Sequence, residues 1–254
     1  MSPTAGGRLL AILDAFDADH TALTLSDLAR RAGMPLSTAH RLAAELLAWG
    51  GLERGSDHRF RIGLHLWEVA SMAPRGLGLR EAALPYMSDL YEATHENVQL
   101  AVREGIEVVF VERIAGRLAV PVLTRVGGRF PMSATGVGLV LLAFAPAQVQ
   151  EQALAEPMER FTSMTVTEAV RLRRILADVR RTGLAVSDRQ VTLDALSVAA
   201  PVTGTSGEVV AALSVVVQAE RAEPNALAPA VRAAARGISR ALGSPLRPRS
   251  RTLV

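Results

Sequence analysis

The chain has 254 residues, 49% of them apolar, and 28 basic against 25 acidic side chains for a formal net charge of +3. That is enough apolar material for one large or two smaller domains. With no cysteine, thiolate nucleophiles, disulfides and Cys-based zinc sites are excluded. Every basic side chain is arginine, which also removes Schiff-base and P-loop lysines. The longest apolar run, Gly136 to Ala145, is too short to cross a bilayer, and Met1 to Gly7 lacks the basic start and apolar core of a signal peptide. A cytoplasmic protein without a membrane partner is expected.

Residues 7 to 17 place Leu9, Leu10, Ile12, Leu13 and Phe16 on a broad helical stripe, and Asp19 to Ala22 reads as a loop in which His20 is solvated and has no role. The stretch Thr24 to Gly51 then predicts two short helices at a tight turn. Thr24 and Asp27 make a capping-box-like start. Ala29 is small where helices approach, Gly33 suits a sharp turn, and Pro35 suits the start of a new helix. Ala39, Leu42, Ala43, Leu46 and Leu47 repeat toward a core, leaving Ser37, Thr38, His40, Arg41 and Ala44 on or near the outer face.

A small residue, a glycine four positions on and apolar residues six and nine positions later is helix-turn-helix spacing, in which the second helix enters the major groove. The alternative is an ordinary helical hairpin within a core. Leu52 to Arg54 and Arg59 to Ile62 flank a polar turn and read as a β-hairpin, giving a winged helix-turn-helix. Arg30, Arg31, Arg41, Arg54, Arg59 and Arg61 outweigh Glu45, Glu53 and Asp57 here, so positive charge gathers where phosphates would lie. Ser37, Thr38, His40 and Arg41 are the candidate base and phosphate contacts, with His58 and Arg59 as wing contacts to double-stranded DNA.

Beyond the wing, Leu64, Leu66, Trp67, Val69 and Ala70 suggest a helix that Ala73-Pro74-Arg75-Gly76 ends. Another helix is expected over 77–94, then strands at 97–102 and 108–114, with a third from Leu118 to Thr124. A Gly- and Pro-containing loop, 127–131, leads to a helix over 135–144. Two more helices are expected at 146–154 and 167–182, strands near 184–187, 196–202 and 209–217, and a last helix over 226–242. This pattern argues for an α+β domain on a mostly antiparallel sheet. The Pro- and Arg-rich tail reads as disordered. The division expected is 1–63 for the DNA-binding domain, 64–76 for a linker helix, 77–243 for the α+β domain and 244–254 for the tail.

The loop from 127 to 138 over a sheet can make a pocket in which Phe130, Met132, Leu139 and Leu141 offer apolar lining. Ser133, Thr135 and the amides of Ala134, Thr135 and Gly136 are placed to meet an anion at a helix start. The competing reading is that the glycines shape a turn and the apolar residues pack a core. Catalysis finds little support: the larger domain has His95 alone, and no nucleophile elbow, H-E-x-x-H, dinucleotide fingerprint or metal cluster is present. No catalytic residue, metal or cofactor is assigned. The alternative function is a hydrolase-like small-molecule-binding enzyme with a helical N-terminal module that does not bind DNA.

The segment TLSDLARRAGMPLSTAHRLAAELLAWGGLER with its continuation RFRIGLHLWEVA resembles the IclR family of bacterial transcriptional regulators. VGGRFPMSATGVGLVLLAF (126 to 144) and SVAAPVTGTSGEVVAALSV (197 to 215) resemble that family's effector-binding domain, so the resemblance covers nearly the whole chain. It implies a GAF-like effector domain, a ligand-responsive regulator acting on a DNA operator, more often a repressor, and dimers that pair into tetramers. For a homodimer contact the helix 64 to 72 and the N-terminal helix offer apolar surface, including Trp67. The resemblance also implies that the 127 to 138 loop binds the effector, and it adds Ser187, Asp188, Ser197 and Ser214 to Met132, Ser133, Ala134, Thr135 and Gly136. The chain departs from the family in carrying Ser197 where cysteine is frequent, and Arg189 to Ala195 in place of an acidic Pro/Gly run. Fewer acidic groups beside Arg189 suit a neutral or anionic effector.

Overall fold

The structure is a computed structural model that describes residues 4–17, 19–73, 77–116 and 119–244. The chain divides between Leu77 and Gly78 into two compact units. The end of the expected linker at 74–76 and all but the first residue of the expected tail lie outside the described residues.

The first unit begins with α1 (Ala5–Asp14), followed by α2 (Leu25–Arg31) and α3 (Leu36–Trp49). Its core is Ile12, Leu28, Leu42, Leu46, Leu52 and Phe60. The apolar stripe of α1 is narrower than expected: Ile12 is buried, whereas Leu10 is 57% exposed. His20 does have a partner. Its Nδ1 lies 2.8 Å from Asp17 Oδ1, and Arg31 donates to Asp17 Oδ2 (2.5 Å) and to the Ala15 carbonyl (2.6 Å). The loop before α2 is therefore tied to the end of that helix. These contacts, His20 first, hold the Asp17 carboxyl at about 2.

Thr24 and Asp27 form a reciprocal capping box. Thr24 Oγ1 accepts from the Asp27 amide (3.2 Å), and Asp27 Oδ2 accepts from the Thr24 hydroxyl (2.7 Å) and amide (3.3 Å). The Thr24 hydroxyl and Arg30 lower the Asp27 carboxyl from 3.8 to about 2. Because the folded carboxyl is the stronger acid, its contribution is complete above pH 4 and is lost as pH falls through about 2. In a carbon-detected NMR titration Asp27 is expected to stay ionised at pH 3, and a midpoint near 4 would contradict the box.

Gly33 takes φ of +63° in the turn, and α3 starts after Pro35. The wing follows as β1 (Leu52–Arg54) and β2 (Phe60–Ile62), paired antiparallel with Leu52 opposite Ile62. Leu23 bridges Phe60 and pins the wing to the start of α2. The helix α4 (Leu64–Ser71) closes the unit and buries no residue; Leu64, Trp67 and the following Met72 are 67%, 59% and 74% exposed.

The second unit opens with α5 (Leu77–Thr94) and is built on a sheet of β3 (Asn97–Glu104), β4 (Glu107–Ile114), β5 (Arg129–Pro131), β6 (Ala185–Asp188), β7 (Ala195–Thr203) and β8 (Val209–Gln218). The order is β5-β4-β3-β8-β7-β6, with every pair antiparallel. The period of two sorts each strand by face. Val98 and Leu100 of β3 and Leu213 and Val215 of β8 face α5 and α9 (Pro224–Ala241). Ala101 and Ala212 face α6 (Gly136–Ala143) and α8 (Ala169–Thr182), with α7 (Ala147–Ala155) between these two in sequence. Every residue of α6 is buried, which accounts for its being apolar all round.

One expected strand is absent. Residues 119–124 are irregular, Leu118 lies outside the described residues, and the third strand of this half is instead β5. Pro121 has no amide to give to a ladder, and side chains hold this strap: Asn97 Nδ2 donates to the Val120 carbonyl (2.7 Å) and Arg113 to the Thr124 carbonyl (3.0 Å).

Candidate functional site

On α3 the four residues Ala39, Leu42, Ala43 and Leu46 face inward, each no more than 2% exposed. Ser37, His40, Arg41 and Ala44 are exposed and Thr38 is half-buried. Arg41 is ion-paired with Glu45 one turn on, a neighbour the sequence reading left unassigned although the i, i+4 spacing carries that signal. In the wing, His58 has φ of +59° at the turn. Arg59 donates to the Ala22 carbonyl (3.3 Å), Arg54 to the His58 carbonyl (3.2 Å), and Arg61 grips Asp57 at 2.7 and 3.0 Å. Arg61 holds the Asp57 carboxyl well below the usual carboxylate range. His58 and Arg59 remain exposed, yet the wing arginines are partly engaged by the protein itself.

In the second unit a narrow cleft lies on the α6 side of the sheet. Its floor comes from Gln99, Val216, Ser197 and Ser187, one wall from Val122, Leu123 and Thr124 of the strap, another from Gln190 to Thr192 and Ala195, and its end from Thr135, Gly136 and Val137 at the start of α6. Thr135 caps that helix, its Oγ1 accepting from the Gly138 amide at 3.0 Å. The next amides, Gly136 and Val137, are first-turn donors that no carbonyl of the same helix can reach, so α6 presents its positive end to the cleft. The fit is close: a Cβ on Gly136 would stand 2.5 Å from Ser197 Oγ, and one on Gly138 2.4 Å from the Met132 carbonyl oxygen.

Of the residues expected to meet an effector, the cleft brings together Thr135, Gly136, Ser187 and Ser197. The others lie elsewhere. Met132 is 1% exposed and, with Leu139 and Leu141, belongs to the core between α6, α8 and the sheet rather than to an apolar lining. Phe130 stacks edge-on with Phe110 at 6.3 Å and against Phe161 at 5.7 Å, because β5 carries it into the sheet. Ser133 and Ala134 are buried behind the cleft; the Ala134 amide points at the Pro131 carbonyl (3.4 Å), and its carbonyl accepts from Ser187 Oγ (2.7 Å). Asp188 pairs with Arg189 (3.2 Å) outside the lining. Ser214 is 1% exposed, and its hydroxyl has no hydrogen-bond partner. It sits beside Gln99 and Ala199 on the cleft-facing side of β8.

The sequence reading missed Gln99, Thr124 and Gln190. Gln99 Nε2 donates to Thr124 Oγ1 (2.6 Å), while Gln190 Oε1 accepts from the Val166 amide (3.1 Å). Among the described residues no charged side chain lines the cleft.

Residues 7–56 match the IclR helix-turn-helix domain, and residues 73–240 match the family described as bacterial transcriptional regulator IclR C-terminal. The chain belongs to the IclR family. Among its IclR relatives is the HTH-type transcriptional regulator XynR of Escherichia coli, 30% identical over 244 residues, which are 94% of this chain and 96% of XynR. An IclR homolog from Microbacterium hydrocarbonoxydans, crystallised with 4-hydroxybenzoate, superposes with a TM-score of 0.89 at 41% identity, covering 92% of this chain and 97% of that one. The IclR of Thermotoga maritima gives 0.76 at 26% identity, covering 93% and 97%. The winged helix-turn-helix and the GAF-like α+β unit are thus the architecture of IclR regulators. Among the described residues no helix is long and apolar enough to cross a membrane.

Proposed function

We propose that this IclR-family regulator reads an operator through the outer face of α3 and answers to a small organic effector held in the cleft beside α6. The observation that carries the first half is the sidedness of α3: His40 and Arg41 are exposed while Ala39 and Leu42 on either side of them are sealed. Ser37, Thr38, His40 and Arg41 meet base edges and phosphates, and His58 and Arg59 meet the backbone beside the wing. The domain borders follow as 1–63, 64–76 and 77–243, with 244–254 as a tail.

The effector site comprises Thr135 and Gly136 with Ser187 and Ser197, to which Gln99, Thr124 and Gln190 are added. Met132, Ser133, Ala134, Asp188 and Ser214 act from behind this surface. An apolar body with a neutral or anionic end suits a cleft without charged side chains that meets a helix N-terminus. The 4-hydroxybenzoate in the Microbacterium homolog supports an aromatic acid. A thermal-shift screen of benzoate, benzamide and benzylamine on the full chain tests this reading. Benzoate is expected to raise Tm most, and stabilisation by the amine alone would overturn it.

One winged domain has a small footprint, so the protein acts as a homodimer or a pair of dimers on its operator, in the cytoplasm. The exposed Leu64, Trp67 and Met72 around α4 support that contact. Light scattering at micromolar concentration should give at least twice the monomer mass, and a monomer with and without DNA would refute it. Repression is the favoured output, as in the E. coli relative named transcriptional repressor IclR, which is 27% identical over 212 residues, 82% of this chain and 77% of that protein.

A further inference from the structure

Arg113 on β4 stands opposite Gln99 in the sheet. Its guanidinium donates to Asn97 Oδ1 (3.1 Å) and to the Thr124 carbonyl (3.0 Å), both neutral oxygens, and its Nε is buried with no hydrogen-bond partner. Among the described residues no carboxylate pairs with this guanidinium. The adjacent Glu112 is taken by the Arg113 backbone amide and by Arg80. A half-buried cation held only by neutral acceptors has given up water without gaining a counter-charge. What holds it belongs to the cleft wall: Thr124 lines the cleft, and so does Gln99, which donates to the Thr124 hydroxyl.

The sheet register sets the distance to the other end. Arg113, Gln99, Ser214 and Ala199 form one row across β4, β3, β8 and β7, and a Cβ on Gly136 at the start of α6 would touch Ala199. Three interstrand spacings make that row about 14 Å long. Of that row Gln99 alone lines the cleft, with Ser214 and Ala199 buried beneath it and Arg113 just beyond the Thr124 wall. Ser214, with its unpartnered hydroxyl, stands midway.

We propose that Arg113 reads an anionic group at the β4 end of the cleft, so that the effector is an apolar-bodied molecule with an acidic group at each end, one toward the first turn of α6 and the other toward Arg113. This rests on the cleft being the effector site. The α6 end accepts one acid, and Arg113 separates dianions from monoanions.

The test is calorimetric titration of the full-length protein with benzoate and with terephthalate, its para-dicarboxylate counterpart. Wild type is expected to bind terephthalate about tenfold or more tighter than benzoate, as a charge-assisted pair at a desolvated site would give. Arg113→Gln should bring the two acids within about threefold of each other. Gln99→Glu keeps arginine and lets the Thr124 hydroxyl donate to the new carboxylate. By supplying an internal anion beside Arg113 it should also erase the preference. Equal binding of both acids by wild type, or a preference that survives Arg113→Gln, overturns the role of Arg113 and leaves the cleft reading standing. Binding of neither acid overturns both.

Discussion

Arg41→Ala is expected to cost about 1–3 kcal/mol of operator binding and to relax selection at a single base pair, as removal of an arginine that reads a guanine edge does. The side chain is 61% exposed and already leans on Glu45 within α3. That pair spans one helical turn, so the guanidinium is held along the helix surface before DNA arrives, and less side-chain freedom is lost on docking. An exposed pair of this kind adds little to folding, so the variant should melt near wild type and its defect should be confined to DNA. Binding-site selection on the purified variant is the decisive measurement. A uniform loss over all sequences would make Arg41 a phosphate contact, and unchanged affinity would remove α3 as the reading helix.

Gly138→Ala should destabilise the second unit by about 1–3 kcal/mol, the usual cost of overpacking, and abolish the response to benzoate. The added Cβ would meet the Met132 carbonyl oxygen at 2.4 Å and the Met132 Cα at 2.7 Å. These are backbone atoms that cannot turn aside, so α6 itself must shift. Since the cleft ends on the first turn of this helix, the site moves with it. Gly136→Ala is the useful contrast, because its Cβ would meet the Ser197 hydroxyl, which can rotate. Urea unfolding and thermal shift with benzoate separate the two. A Gly138→Ala protein of wild-type stability would mean that α6 is not seated as closely as described.

The first unit was legible because its signals are local. Thr24 and Asp27 satisfy each other three residues apart, Gly33 turns the chain, and Ala39, Leu42, Ala43 and Leu46 fall on one side of a single helix. In the second unit the strands β3, β4, β7 and β8 showed their alternation, but the composition of the cleft did not. Gln99, Thr124 and Gln190 come from segments far apart in sequence, and only the β3–β8 and β7–β8 pairings place Gln99 on the floor with Ser197. Met132 and Leu139 have an apolar character that fits a pocket or a core equally well in sequence, and the structure spends it on the core between α6, α8 and the sheet. The segment 119–124 misled because β-branched residues there resemble a strand, whereas Asn97 and Arg113 side chains capture its carbonyls. His20 could have been paired with Asp17 from their spacing alone.

The sheet of the second unit ends on β5, three residues closed by Pro131, and on β6, four residues closed by Asp188. The two end strands themselves offer few free backbone groups to a strand from another molecule, and the proline and the charge discourage extension further. Strand addition onto either end strand is therefore disfavoured, and crowding on an operator can raise the local concentration without recruiting these ends.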